Sequence, residues 1–437
     1  MKKYVFIITI ILISCSVSMA VDNDIHIHGF ISQGFLQTDH NQFIQNSENG
    51  TFQFNEMGLN FNTQITDDLH LGIQFFASDF GDIGNDKITV NFARASYYYR
   101  QWLSFHAGIN KVAFGLHGDT RDLDMIRPTI FLPSGVYPES FRDCLNSAKG
   151  LEFRGNWRPT MPEFQDILGE FNYTIQCGIM DINKESGVGR VLAKAFHTDS
   201  EYSESDTAIN MIFNWEPPVP GLRLIGQYAK FGYNLGGKTI NDIFWQSRKE
   251  DALSDMAPTI NPESISVTNI PVDYDGYIEE ILFGFEYSWQ DLVFSFEHVK
   301  HIHDFDITVD VLFLPDTTLP ITVPFENNSV GFYYMFSYRH TDWLKFGAYY
   351  SVFYPNEEDK KGNGLGTNAG RPDYFAWQKD SCLSFRFDFN RNCSLKLEGH
   401  YLDGCAQLDD TVKIEPDEYF ETNRYWYLFA AKISYNF

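Results

Sequence analysis

The charged residues between 113 and 148 are those whose types and spacing could do chemistry. Arg121, Asp122, Asp124, Arg127, Glu139, Arg142 and Asp143 share one stretch in which Pro128, Pro133 and Pro138 restrict the backbone. Thr120-Arg121-Asp122 and Phe141-Arg142-Asp143 each set an arginine beside an aspartate. Such pairs suit a loop pinned by bidentate ion pairs. In a confined passage, opposed charges orient and filter charged solutes. On an open surface the same residues form a solvated loop with incidental charge. Covalent catalysis has no signature here, because no GxSxG or HExxH stretch occurs.

Two further constellations invite a chemical reading. His26/His28 and His301/His303 are HxH pairs that place both rings on one face of a strand, a spacing able to hold a metal. Both pairs read as rim histidines, and neither a metal nor a cofactor is expected. Of the six cysteines, Cys15 falls in the leader; Cys144, Cys177, Cys382, Cys393 and Cys405 have irregular spacing and no CxxC. One bridge is possible, and the spacing does not select it.

The elements that must position these residues begin after a leader. Met1-Lys2-Lys3, an apolar run to about Ile13 and the small residues Ser18-Met19-Ala20 form a signal peptide over 1–20. A rival cut would leave a lipidated Cys15 at the front. Removing Lys2 and Lys3 takes the net charge from −25 to −27, which argues against a nucleic-acid partner. No later apolar run reaches the eighteen residues of a membrane helix. A chain that enters lipid without helices must do so as a closed barrel, since only then is every backbone hydrogen bond satisfied.

The final stretch carries that pattern most clearly. Tyr425, Tyr427, Phe429, Ala431, Ile433, Tyr435 and Phe437 share one face of an extended strand, with Leu428, Ala430, Lys432, Ser434 and Asn436 on the other. Tyr435 and Phe437 match the terminal aromatic signal with which bacterial outer-membrane barrels end. Period-two segments recur at 25–36, 52–65, 69–80, 87–99, 102–112, 149–158, 168–180, 207–215, 222–235, 277–289, 292–301, 329–340, 343–354, 382–390 and 394–402. With the last, they number sixteen. Tight turns alternate with long connections, which sets both chain ends and all the tight turns on one side. Trp102, Trp157, Trp215, Trp289 and Trp343 lie beside those turns as an interfacial girdle.

One face of each segment is apolar, as in Leu69, Leu71, Ile73 and Phe75, or Ile281, Phe283, Phe285 and Tyr287. The other carries Glu56, Asn60, His70, Gln74, Gln176, Glu280, Glu286 and Arg386, the lining of a wet lumen. The fold class is therefore all-β: a 16-stranded antiparallel transmembrane β-barrel with short periplasmic turns and long extracellular loops.

In strand count, loop parity and terminal Phe, the chain resembles the sixteen-stranded porins of Gram-negative outer membranes. It is more closely similar to porin-like proteins without assigned substrates, through HGFISQGF (28–35), TFQFNEMGLNF (51–61), FGDIGND (80–86), and FGLHGDTRDLDMIRP followed by VYPESFRD (114–143). The resemblance implies that 113–148 folds into the lumen and narrows it. It also implies a basic wall opposite, at Arg94, His106 and Arg154, facing acidic Glu152, Glu280, Glu286 and Glu297. Arg94 shares its phase with Ile88, Val90 and Phe92, so a bulge must intervene before it can face inward.

Pattern and resemblance together predict an outer-membrane pore, without enzymatic activity, for passive diffusion of small hydrophilic solutes or ions. Its expected partners are outer-membrane lipid and lipopolysaccharide, the barrel-assembly machinery, its solutes, and two further copies in a homotrimer. A plugged barrel that binds through the long loops at 236–276 and 304–327 is the alternative. A barrel enzyme is the third.

Overall fold

The computed structural model describes residues 24–44, 46–81, 83–142, 146–180, 186–195, 198–239, 270–314, 317–365, 370–412, 414 and 418–437. The signal segment 1–20 with Cys15, Asp143, Cys144 and residues 240–269 lie outside the described residues.

Sixteen strands close into one antiparallel barrel, each paired with its neighbours in sequence and β1 paired with β16. They are β1 (Ile25–Thr38), β2 (Asn55–Gln64), β3 (Leu69–Asp79), β4 (Thr89–Arg100), β5 (Leu103–Lys111), β6 (Ser147–Trp157), β7 (Glu170–Met180) and β8 (Thr198–Glu216). The second half comprises β9 (Leu222–Thr239), β10 (Pro271–Trp289), β11 (Leu292–Leu314), β12 (Thr317–Arg339), β13 (Leu344–Tyr354), β14 (Gln378–Asp388), β15 (Cys393–Gly404) and β16 (Tyr425–Asn436). Closure is sealed at the last residue, where Phe437 and Gly29 exchange N–H···O bonds of 3.0 and 3.1 Å.

The period-two pattern decides which face meets which solvent. On β16, Tyr425, Tyr427, Phe429, Ile433 and Tyr435 are exposed to the outside, while Trp426, Leu428, Ala430, Lys432 and Ser434 are buried within. Such an outer face suits hydrocarbon and would be costly in water. Trp102, Trp157, Trp289 and Trp343 stand exposed at the rim with the tight turns. Trp215 joins them partly buried, its Nε1 donating to the Leu168 carbonyl.

The bulge that Arg94 requires is present. Gln74 pairs with Phe92 but Phe75 pairs with Val90, so Asn91 is the extra residue, and the phase of β4 reverses there. Val90 consequently faces out, while Asn91 turns inward and is buried.

The barrel is taller on one side than expected. Residues 304–327, expected as a loop, instead form the far ends of β11 and β12, paired from Asp304↔Glu326 to Leu314↔Thr317. Alternation continues past 304: Phe305, Ile307 and Val309 extend one face while Asp304, Asp306 and Asp310 occupy the other, so strand pairing remains the cheapest way to satisfy the backbone. The 236–276 loop likewise yields its ends to β9 and β10. Inside this tall wall, Phe231, Tyr233, Leu235, Val272, Tyr274 and Phe305 pack into an apolar cluster.

Candidate functional site

The connection between β5 and β6 runs inside the barrel, hugging the wall from β7 round to β16. Each contact joins its backbone to an inward side chain. Gln176 accepts from the Ala113 amide at 3.1 Å, Gln227 from Gly115 at 2.8 Å and Glu297 from Leu116 at 2.7 Å. Farther on, Ser351 accepts from the Gly135 amide at 2.8 Å, and the Ser384 hydroxyl donates to the Pro128 carbonyl at 3.0 Å. Glu398 receives the amides of Ile130 at 2.6 Å and Phe131 at 3.0 Å. The strands thus replace the partners that a loop without regular structure cannot give itself.

Close approach also needs space. Gly115 takes a φ of +53°, and a Cβ there would collide with the Tyr137 hydroxyl and the Glu297 carboxylate. A Cβ on Gly331 of β12 would strike the Gly135 carbonyl. Glycine at both positions lets loop and wall touch.

The charged residues of the loop are anchors. Asp122 meets Lys111 at 2.5 Å, the Asn91 amide at 2.5 Å and Arg142 at 3.7 Å. Asp124 meets Lys396 at 2.9 Å and accepts from the Ser434 hydroxyl at 2.6 Å. Arg142 bonds Glu56 of β2 and reaches Glu139 at 3.6 Å. Arg121 donates to the Tyr137 and Pro138 carbonyls at 3.2 and 2.7 Å and lies 3.6 Å from Glu139. Arg127 donates to the Arg121 carbonyl at 2.5 Å and to that of Ile130 at 3.1 Å. All five are at most 6% exposed. The expected pairing within Arg121-Asp122 does not form; successive side chains of an irregular segment diverge, and each turns to a partner remote in sequence.

Electrostatics follow burial. Desolvation alone would raise the acids, but Lys111, Arg142 and the Asn91 hydrogen bond hold the Asp122 carboxyl well below the carboxylate range, and Lys396, Lys432 and Arg127 do the same for Asp124. For Arg142, desolvation is outweighed by Glu56, Glu139 and Asp122, which raise it. His117 has no such carboxylate: burial first, then Arg127 and Arg223, push it down to about 3.

The expected wall residues divide into two groups. Arg94 and Arg154 are partly exposed to the lumen and share Glu152, at 3.4 and 2.5 Å. Glu152 and Glu297 are fully buried; Glu297 also accepts from the hydroxyls of Tyr137 and Tyr333, each at 2.6 Å. His106 is buried between the hydroxyls of Ser96 and Ser104, Glu280 pairs with His301 at 3.1 Å, and Glu286 lies 3.5 Å from Arg223. The fully wet lumen expected from sequence is therefore confined toward the tight turns, where Asn60, Asn62, His70, Asn156, Glu170 and Asn172 keep partial exposure. At the level of the folded-back segment the polar wall is covered.

No family model matches this sequence, and no curated protein matches it. Solved structures do. OmpF of Salmonella typhi, in complex with daunomycin, superposes with a TM-score of 0.52 at 15% identity, over 95% of this chain and 98% of that one. An anion-selective porin from Comamonas acidovorans gives 0.51 at 10% identity, over 95% and 100%. OmpT of Vibrio cholerae gives 0.52 at 11%, over 95% and 98%. The fold is that of an outer-membrane porin.

Within this porin fold, sequence reading missed Lys111, Lys396, Glu398 and Lys432 as loop anchors. The available signal was a charged side chain in the inward phase of a strand whose other phase carries no charge, as in Lys396-Leu397-Glu398-Gly399-His400. Nothing local says which part of the loop such a residue meets.

Proposed function

We propose that this chain is a passive channel of the outer membrane for small hydrophilic solutes, in which the segment 113–148 sets the width of the path. The observation that carries this reading is the folded-back segment itself, held against the inner wall of a closed barrel by side chains of many strands.

Selectivity follows from which charges remain accessible. Among the described residues near the segment, Glu56, Glu152, Glu297, Glu398, Asp122 and Asp124 are buried and committed to internal partners. Arg94 and Arg154, with side chains 27 and 28% exposed, share the buried Glu152, whereas Arg223 at 34% is matched by Glu286 at 26%. A narrow path in a low-dielectric wall takes its sign from accessible charge, so the channel prefers anions despite the acidic composition. The pore would assemble as a trimer, and its contacts with lipopolysaccharide and the assembly machinery belong to the same proposal.

The experiment is single-channel recording of the refolded protein in a planar bilayer under a salt gradient. Discrete steps with an anion-selective reversal potential support the reading. Silence from a heat-modifiable, correctly folded barrel overturns it and favours the plugged, surface-binding alternative, for which the tall β8–β12 wall supplies the surface.

A further inference from the structure

Cys382 on β14 stands directly opposite His400 on β15, and Glu398 lies two residues before His400 on the same inward face. A thiol sulfur, an imidazole nitrogen and a carboxylate oxygen are thereby brought within 4.8 Å of one another, all on buried side chains. We propose that these three residues form a binding site for a borderline transition-metal ion of the zinc type. The inference depends on the barrel and is independent of the transport reading.

The donor set is the first argument. Thiolate, imidazole and carboxylate together suit zinc or cobalt, whereas calcium and magnesium call for oxygen alone. Donors sharing such an ion stand about 3 to 4 Å apart, since each bond is about 2.0 to 2.3 Å. The His400 Nε2 to Glu398 Oε1 separation of 3.0 Å already meets this. Small side-chain rotations bring in the sulfur.

The orientation of the histidine is the second. Asp380 lies 3.0 and 3.1 Å from His400 Nδ1, fixing the ring so that Nε2 points toward Glu398. A carboxylate on the far nitrogen is the usual outer partner of a metal-bound histidine; it sets the tautomer and raises ligand basicity. Asp380 is itself held by the Tyr349 hydroxyl at 3.1 Å.

Free capacity on the carboxylate is the third. Glu398 is not exhausted by its two loop amides, because each carboxylate oxygen carries two lone pairs. Binding requires the Cys382 thiolate and a free lone pair on His400 Nε2, so the thiol proton and the Nε2 proton now shared with Glu398 are both released to solvent as the metal–sulfur and metal–nitrogen bonds form.

The site also touches the segment proposed to set the path. Glu398 would hold the metal on one side and the Ile130 and Phe131 amides on the other. An ion there would fix the Glu398 rotamer, and with it the segment.

The test is refolding of the full chain with Co²⁺, removal of loosely bound metal, and absorbance with elemental analysis. One Co²⁺ per chain with a sulfur-to-cobalt charge-transfer band is expected. Cys382→Ser should abolish the band, and His400→Gln should lower retained metal by about tenfold or more. Cys177→Ser, which alters a thiol on the outer face, should change neither. Absence of the band from folded wild-type protein overturns the proposal, and so does a band that survives Cys382→Ser. Either result leaves His400 as a bridge between Asp380 and Glu398.

Discussion

Asp124 and Lys396 meet at 2.9 Å in the interior of the barrel, both all but inaccessible to solvent, across 272 positions of chain. Lys396 also donates to the carbonyls of Asp124 and Thr129, and Ser434 donates to Asp124 Oδ2.

Removing Lys396 takes the nearest counter-charge from Asp124 and leaves Lys432 at 3.5 Å and Arg127 at 3.9 Å, so the cost lies below the roughly 3 to 5 kcal/mol of a wholly orphaned buried charge. Lys396→Ala is therefore expected to release the segment while the barrel survives through its strand ladder. Single-channel traces should show larger and noisier steps than wild type with heat-modifiability retained. Wild-type current from the variant would show that the pair does not hold the path.

Arg94 and Arg154 are accessible and Arg121 is tied to carbonyls, so their substitutions should separate. Replacing Arg94 and Arg154 together by Ala is expected to move the reversal potential toward cations, whereas Arg121→Ala should alter conductance stability with little change of sign. Reversal potentials measured in one salt gradient compare all three proteins directly.

Acid should loosen the segment. Asp122 and Asp124 have their proton affinity depressed in the folded protein, so their contribution is whole above about pH 4 and is lost as pH falls toward their folded-state values. His117, pushed down to about 3, contributes fully above about pH 6.5 and progressively less as pH falls toward 3, because the unfolded state takes up the proton first. Its surroundings include Tyr137, Arg127 and Arg223. Urea midpoints should fall between about pH 7 and about pH 5, and His117→Asn should lessen that fall.

Phe437 and Gly29 close the ring through paired backbone bonds. Deleting Phe437 removes that junction along with the terminal aromatic. The truncated chain should accumulate in the outer membrane at a small fraction of the wild-type level, read by heat-modifiable band intensity. Equal accumulation would locate the closing information elsewhere in β16.

The barrel was legible along the chain because membrane strands obey a local rule. Each residue in a closed sheet faces either lipid or the interior, so period-two alternation, turn length and the girdle of Trp102, Trp157, Trp289 and Trp343 reveal strand number, parity and facing without knowledge of contacts. Even the bulge in β4 left its mark, in the phase conflict between Arg94 and Val90. The same rule read without a lipid boundary accounts for the tall β11–β12 hairpin, whose alternation continues past the point where a loop was expected.

What tertiary structure alone decided is the pairing of charges. Arg121 and Asp122 are neighbours in sequence yet turn to Tyr137, Pro138, Lys111 and Asn91; Asp124 finds Lys396; Cys382 comes to face His400 through strand register. Sequence set the charged inventory of the loop and the inward phase of the wall. Their meeting depends on the closure of sixteen strands and the path of one irregular segment within it, and no local periodicity encodes a contact whose two halves lie on opposite sides of a closed ring.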